Sequence, residues 1–176
     1  TNREAAAFAR ELEKAGVDCI NVTGGWHETR VPQITGELPP GGFSYLAAGV
    51  KRAVSIPVIA SNRINDPRLA EQLLCMGVAD LVNMGRPLIA DPDLPRKVQE
   101  GREREVRKCI ACNQGCMDRV FSMRDVLCAV NGLAGREHEL EVKPAHVSKN
   151  VLVIGGGPAG LEVAALAAER GHRVVL

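Results

Sequence analysis

Aromatic residues are scarce: one Trp, one Tyr and three Phe among 176 residues, 3% in all. Any core must therefore be built from Ala, Val, Leu and Ile. An excess of one charge is missing too. With 22 Lys+Arg against 21 Asp+Glu the net charge is +1, which gives no electrostatic reason to expect nucleic acid or an anionic membrane surface as a partner. No apolar run approaches the roughly 18 residues that a membrane span requires. The opening TNREAAAFAR lacks the basic-then-apolar order of a signal peptide. Six cysteines without a secretion signal point to a reducing, cytoplasmic compartment. There, clustered thiols are metal or redox sites before they are disulfides. The chain opens without Met and stops inside the apolar run RVVL, as expected of an internal piece of a longer protein. What is present is ordinary for a folded protein: 45% hydrophobic and 24% charged residues.

Residues 1–16 carry a helical pattern, with Thr1 and Glu4 as a capping box and Gly16 as its end. Ala5, Phe8, Leu12 and Ala15 would form its apolar face. Val17–Val22 reads as a short buried strand, and the Gly- and Pro-rich stretch Thr23–Gly42 as a long loop, of a length that is usually functional or disordered. A helix over Phe43–Val54 and a strand over Ile56–Ala60 follow. A helix entered at Asp66–Pro67 runs to Met76 and is closed by Gly77. Val78–Val82 is a third strand, and Asp91–Pro92 opens a helix reaching Glu100. Largely apolar strands alternating with helices indicate an α/β class with a parallel sheet, either a barrel or an open sheet. Beyond residue 100 the character changes to a charged run, a cysteine cluster and a polar linker over Gly132–Asn150.

Cys109, Cys112, Cys116 and Cys128 are spaced C-x2-C-x3-C-x11-C. Three thiolates from one loop and a fourth from further on suit an iron–sulfur cluster. Structural zinc, the competing reading, more often uses two separated pairs. Cys19 and Cys75 lie in apolar segments and read as buried core thiols. In VLVIGGGPAGLEVAALAAERGHRVVL, the run Gly155-x-Gly157-x-x-Gly160 sits between a strand and a helix. That context makes it a dinucleotide-binding turn, with the pyrophosphate at the helix N-terminus. A packing turn without ligand is the alternative.

Functional residues of a parallel barrel lie at the C-terminal ends of its strands. Here those ends carry TGGWHETR, ASNRIND and NMGRPLIADP. Arg63 and Arg86, with Gly85, suit a phosphate monoester, or else are surface arginines paired with Asp66 and Asp91. His27, just past the first strand end, either exchanges a proton or binds a substrate oxygen, or is structural.

Taken together, GGWHETRVP, IPVIASNRINDP, MGRPLIADPDLPRK, CIACNQGC with Cys128, and VIGGGPAG resemble one group of proteins. These are the multidomain flavin oxidoreductases that include 2,4-dienoyl-CoA reductase, trimethylamine dehydrogenase and enoate reductases, whose barrel is of the old yellow enzyme type. The resemblance implies three pieces: the C-terminal part of an FMN-binding TIM (β/α)8 barrel over 1–104, a 4Fe–4S segment and linker over 105–149, and the start of a Rossmann-like FAD/NAD(P)-binding domain over 150–176. It places Arg63, Gly85 and Arg86 at FMN, and Gly155, Gly157, Ala159 and Gly160 at the FAD pyrophosphate. Cys109, Cys112, Cys116 and Cys128 become the cluster ligands, and His27 an active-site histidine. Glu28, Thr29 and Arg30 would lie with His27 along the substrate. The implied relay runs from NAD(P)H through FAD and the 4Fe–4S cluster to FMN, and on to the activated C=C bond of a small unsaturated thioester or carbonyl compound. The family's proton-donating tyrosine would precede Thr1. Two alternatives are a dehydrogenase oxidising an amine or a saturated substrate, and an electron-transfer subunit without substrate chemistry.

Overall fold

A computed structural model describes all residues, Thr1–Leu176. The chain folds as two compact units, Thr1–Gly135 and Arg136–Leu176.

The first unit begins with α1 (Asn2–Lys14), and Thr1 and Glu4 form the reciprocal capping box that the sequence indicates. The buried residue of α1 is Ala9, whereas Phe8 is 64% exposed. The inward face is thus rotated one residue from the expected one. It carries Ala6, Ala9, the expected Leu12 and Glu13, and the two small Ala side chains let α1 lie close to its neighbour. That neighbour is α2 (Ser44–Lys51), where Asn2 donates to the Tyr45 carbonyl. Glu13 faces inward to accept from the Ser55 hydroxyl and from the Ser55 and Ile56 backbone N–H groups.

Three parallel strands, β1 (Ile20–Val22), β2 (Val58–Ala60) and β3 (Leu81–Val82), lie side by side in that order. Val22 pairs with Ala60, and Ala60 with Val82, so all three strands end at one level. Each strand is shorter than its apolar run. Between β2 and β3 runs α3 (Pro67–Cys75), whose N-cap Asp66 accepts from the Arg68 N–H as expected. Gly77 ends this segment at a φ of +66°. Val58, Ala60, Ala47, Val50, Ile64, Leu73 and Ala79 form the core with Ala9. It is built from small aliphatic residues, as the shortage of aromatics requires.

Two helices follow β3. Not expected from the sequence is α4 (Arg86–Ala90), which starts from Gly85 with Pro87 in its first turn. The helix expected from Asp91 begins only at Leu94, as α5 (Leu94–Gln99). Asp91, 3% exposed, lies ahead of it: one carboxylate oxygen accepts from the Asp93 N–H, and the other is held by the Lys97 ammonium and the Arg107 N–H. Cys19 and Cys75, expected in the core, are both exposed. Cys19 precedes β1, and Cys75 ends α3 on the face where its thiol meets Glu71.

In the second unit, β4 (Asn150–Leu152) and β5 (Arg173–Val175) are parallel neighbours connected by α7 (Pro158–Glu169). No residue of this unit is buried. No helix of either unit is long and apolar enough to cross a membrane.

Candidate functional site

The common level of the three strand ends determines the site. The residues that leave β1, β2 and β3 emerge side by side and line one cavity of about 220 Å3. Thr23 comes from the first strand end, Ser61 to Asn65 from the second, and Asn83, Gly85 and Arg86 from the third. Gln33 and Ile34 of the long loop close one side, and Cys109 closes another.

Arg63 and Arg86 both line this cavity, and neither has a carboxylate partner. The surface pairing left open by the sequence is overturned: Asp66 is taken by Lys108 at 2.5 Å and Asp91 by Lys97 at 2.7 Å. Arg63 instead donates to the Leu38 and Gly36 carbonyls, and Arg86 to the Ile34 carbonyl and the Asn113 amide oxygen. Burial, and then the nearby Arg86 charge, push the Arg63 guanidinium down from its ordinary value. Two unneutralised cations facing one cavity call for an anion. Asn62 adds a donor. Its side-chain Nδ2 is buried without a partner in the wall of the same cavity. An orphaned buried donor beside two cations is what a phosphate-bearing ligand would satisfy. Asn62 and Arg63 both hold left-handed backbone, at φ of +72° and +53°, a conformation that clusters at ligand sites.

The four clustered cysteines line a second, smaller cavity together with Ile89, Asn113 and Gly115. Gly115 explains how the fourth thiol arrives. A Cβ there would stand 2.7 Å from the Leu127 carbonyl oxygen, so only glycine lets the Cys128 segment lie against the loop. The Ala111 N–H points at the Cys109 sulfur at 3.4 Å. Burial raises the Cys116 thiol. The Met117 N–H and the Arg86 charge oppose that rise, and Cys109 and Cys112 add to it. No three His, Cys, Asp or Glu side chains are drawn in tightly enough for one metal ion. The segment is tied down by residues that the sequence reading did not single out. Asn65 donates to the Cys109 carbonyl, Lys108 pairs with Asp66, and Asn131, 4% exposed, joins Arg107 to the Ile89 carbonyl. Asn and Lys carry no spacing signature, which is why only the folded chain reveals them.

His27, Glu28, Thr29 and Arg30 are not in the wall of the arginine cavity. His27 touches Trp26 and Phe121, with ring centres 4.3 and 4.8 Å away and ring planes tilted by 41° and 43°. Phe121 belongs to α6 (Met117–Phe121), the helix that follows Cys116. Glu28 lies 3.8 Å from the imidazole, and the Thr29 hydroxyl is spent on the Trp26 and Val31 carbonyls.

In the second unit, Gly157 caps α7 without a side-chain bond, and Ala159 lies in its first turn. Gly155 holds a φ of +111°, and a Cβ on Gly160 would run into the Gly155 carbonyl. The turn is therefore tight and leaves the helix N-terminus open, as anion binding requires.

Comparison with known proteins follows the same lines. The chain is 57% identical over its whole length to a metal reductase of Desulforamulus reducens, of which it covers 26%. It is 46% identical, again over its whole length, to an NADH oxidase of Thermoanaerobacter brockii, covering 28% of that protein. The solved complex of 2-naphthoyl-CoA reductase with 2-naphthoyl-CoA superimposes with a TM-score of 0.93 at 42% identity, over 98% of this chain and 27% of that one. The chain thus spans about a quarter of the length of the relatives it matches. Its α/β architecture is consistent with part of a TIM-barrel-type flavin oxidoreductase. Residues 3–105 match the sequence model of the NADH:flavin oxidoreductase / NADH oxidase family, and the chain belongs to that family, whose barrel is of the old yellow enzyme type.

Proposed function

We propose that this chain contributes the phosphate end of an FMN site and the ligands of a 4Fe–4S cluster to an NAD(P)H-dependent reductase acting on activated C=C bonds, in a reducing compartment. Held by these residues, FMN would supply hydride chemistry at the alkene, FAD would supply hydride acceptance from NAD(P)H, and the cluster would supply one-electron transfer between the flavins. The observation that carries the reading is the pair of unneutralised guanidiniums, Arg63 and Arg86, at the strand ends of the cavity where Asn62 keeps an unused donor.

The residues divide the work. Arg63 and Arg86 neutralise and orient the phosphate, and the open backbone at Gly85 gives it room. Asn62 donates to a phosphate or ribityl oxygen. Cys109, Cys112, Cys116 and Cys128 hold the cluster from one small cavity, and the Ala111 N–H stabilises the charge on the Cys109 sulfur. Three thiols from one loop and a fourth from further along the chain suit an iron–sulfur cluster better than zinc, which more often uses two separated pairs. His27, held by Trp26 and Phe121, offers an imidazole N–H to the substrate carbonyl, with Glu28, Thr29 and Arg30 as the adjoining substrate loop. Gly155, Gly157, Ala159 and Gly160 begin the FAD site of a Rossmann-like unit, with the pyrophosphate at the N-terminus of α7. The substrate class is a small unsaturated thioester or carbonyl compound, in keeping with the CoA thioester named in the matching solved complex.

The test is Arg86→Ala in the full-length protein. Removing one of two phosphate cations is expected to weaken FMN binding roughly a hundredfold, read by flavin content and by titration of flavin-depleted protein, and to abolish NAD(P)H-driven reduction of an enoyl thioester. Unchanged FMN binding would contradict the assignment.

A further inference from the structure

Arg86 and Cys109 line both cavities, so the arginine cavity and the cysteine cavity share a wall. Arg86 crosses that wall through Asn113. The Asn113 amide oxygen accepts from Arg86 at 2.5 Å, and its Nδ2 donates to the Ile34 carbonyl at 2.8 Å. The same carbonyl accepts from Arg86 at 2.9 Å. The three groups form a closed triangle. Asn113 stands next to Cys112 in left-handed backbone, at a φ of +62°, and Ile34 lines the arginine cavity. Both ends of the triangle are therefore fixed by a site.

We propose that Asn113 is a positioning residue that couples the two sites: the cysteine loop, when it holds its cluster, presents the Asn113 amide to Arg86 and so fixes the guanidinium for the flavin phosphate. This rests on the assignment of Arg86 to FMN and of the cysteines to the cluster. The physical reason is preorganisation. An arginine side chain held by two acceptors loses little further freedom when the anion arrives, and an unheld one loses more. The cysteine loop without its cluster would present Asn113 in many positions, and the advantage would vanish. The linkage is reciprocal, so bound FMN would in turn stabilise the cluster loop.

The experiment measures FMN binding to flavin-depleted full-length protein, with iron and acid-labile sulfide assayed in each sample. The forms compared are wild type, iron-chelated wild type, Asn113→Ala, Arg86→Ala and the double variant. A Gln114→Ala control alters the same loop outside the triangle. Expected are an FMN Kd about tenfold higher in Asn113→Ala, reflecting one lost bond to a charged group, and a similar rise in chelated wild type. Chelation should add nothing further to Asn113→Ala, and the double variant should bind no more weakly than Arg86→Ala, because interacting residues are not additive. Gln114→Ala should bind as wild type does. If chelated wild type keeps its affinity, or if the Asn113 and Arg86 effects multiply, the coupling is overturned while the FMN assignment stands. If Arg86→Ala itself binds FMN normally, both fall. If Asn113→Ala loses iron, the chelated wild type decides between the same two results.

Discussion

The two units treat their apolar residues in opposite ways. In Thr1–Gly135, Val58 and Ala60 are fully buried, and Leu73 is 6% exposed. In Arg136–Leu176, Ile154 is 91% exposed and Leu152 69% exposed, and nothing is buried. Both units contain parallel strands joined by a helix, so local sequence pattern is not the difference. The first unit has three strands with helices packed against them, enough to enclose a core. The second has two strands and one helix, too few to cover either face of its sheet. Within this chain the second unit thus shows its motif without a core of its own. The glycine turn shows this well: Gly160 makes its close approach to Gly155 with no buried residue around it.

Substitutions sharpen that contrast. The largest effect is expected for Leu73→Ala, which should destabilise the first unit by about 3 kcal/mol in urea titrations. A loss below about 1 kcal/mol would mean that this cluster is not what holds the unit. Next comes Asp91→Asn, at about 2 kcal/mol near neutral pH, since it breaks a pairing between Asp91 and Lys97 that is almost fully buried on the aspartate side. Burial alone would raise the Asp91 carboxyl, but the Lys97 hydrogen bond, the Arg107 N–H and the Lys97 charge outweigh it and leave it below the usual carboxylate range. Its contribution is therefore complete above the unfolded-state value and is lost as pH falls through the lower folded-state value. Wild type should lose stability across that acid window, and Asp91→Asn should be flatter there. An identical acid dependence in both proteins would remove Asp91 from this role. The smallest effect is expected in the second unit. Leu152→Ala should change the stability of this chain by less than about 0.5 kcal/mol, and the amides of β4 and β5 should exchange hydrogen far faster than those of β2. Equal protection of the two sheets would erase the contrast.

How much of this was legible in the sequence depended on how local each signal was. The α1 capping box, the Asp66 cap and the Gly77 stop are local, and the fold keeps them. Arg63 and Arg86 could be named from their places after strands, but their freedom from carboxylates could not. It follows from Lys108 and Lys97 reaching Asp66 and Asp91 across 42 and 6 residues of chain. The start of α5 was misplaced for the same reason, because Asp91 looks like a cap and is used as an ion-pair partner. Cys75 sits in an apolar run but on the outer side of α3, a question of helix phase that its neighbours alone did not settle. Asn62 and Asn131 were invisible, since a lone asparagine acquires meaning only from the groups that folding brings to it.

The most direct measurement is the iron, acid-labile sulfide, zinc and flavin content of the full-length protein purified without air, alongside a Cys116→Ser variant. About four iron and four sulfide per chain, as a 4Fe–4S centre requires, with FMN present and both iron and sulfide depleted in the variant, is the expected result. One zinc and no sulfide, or iron retained in full by Cys116→Ser, would contradict the assignment of these four thiols beside the flavin cavity.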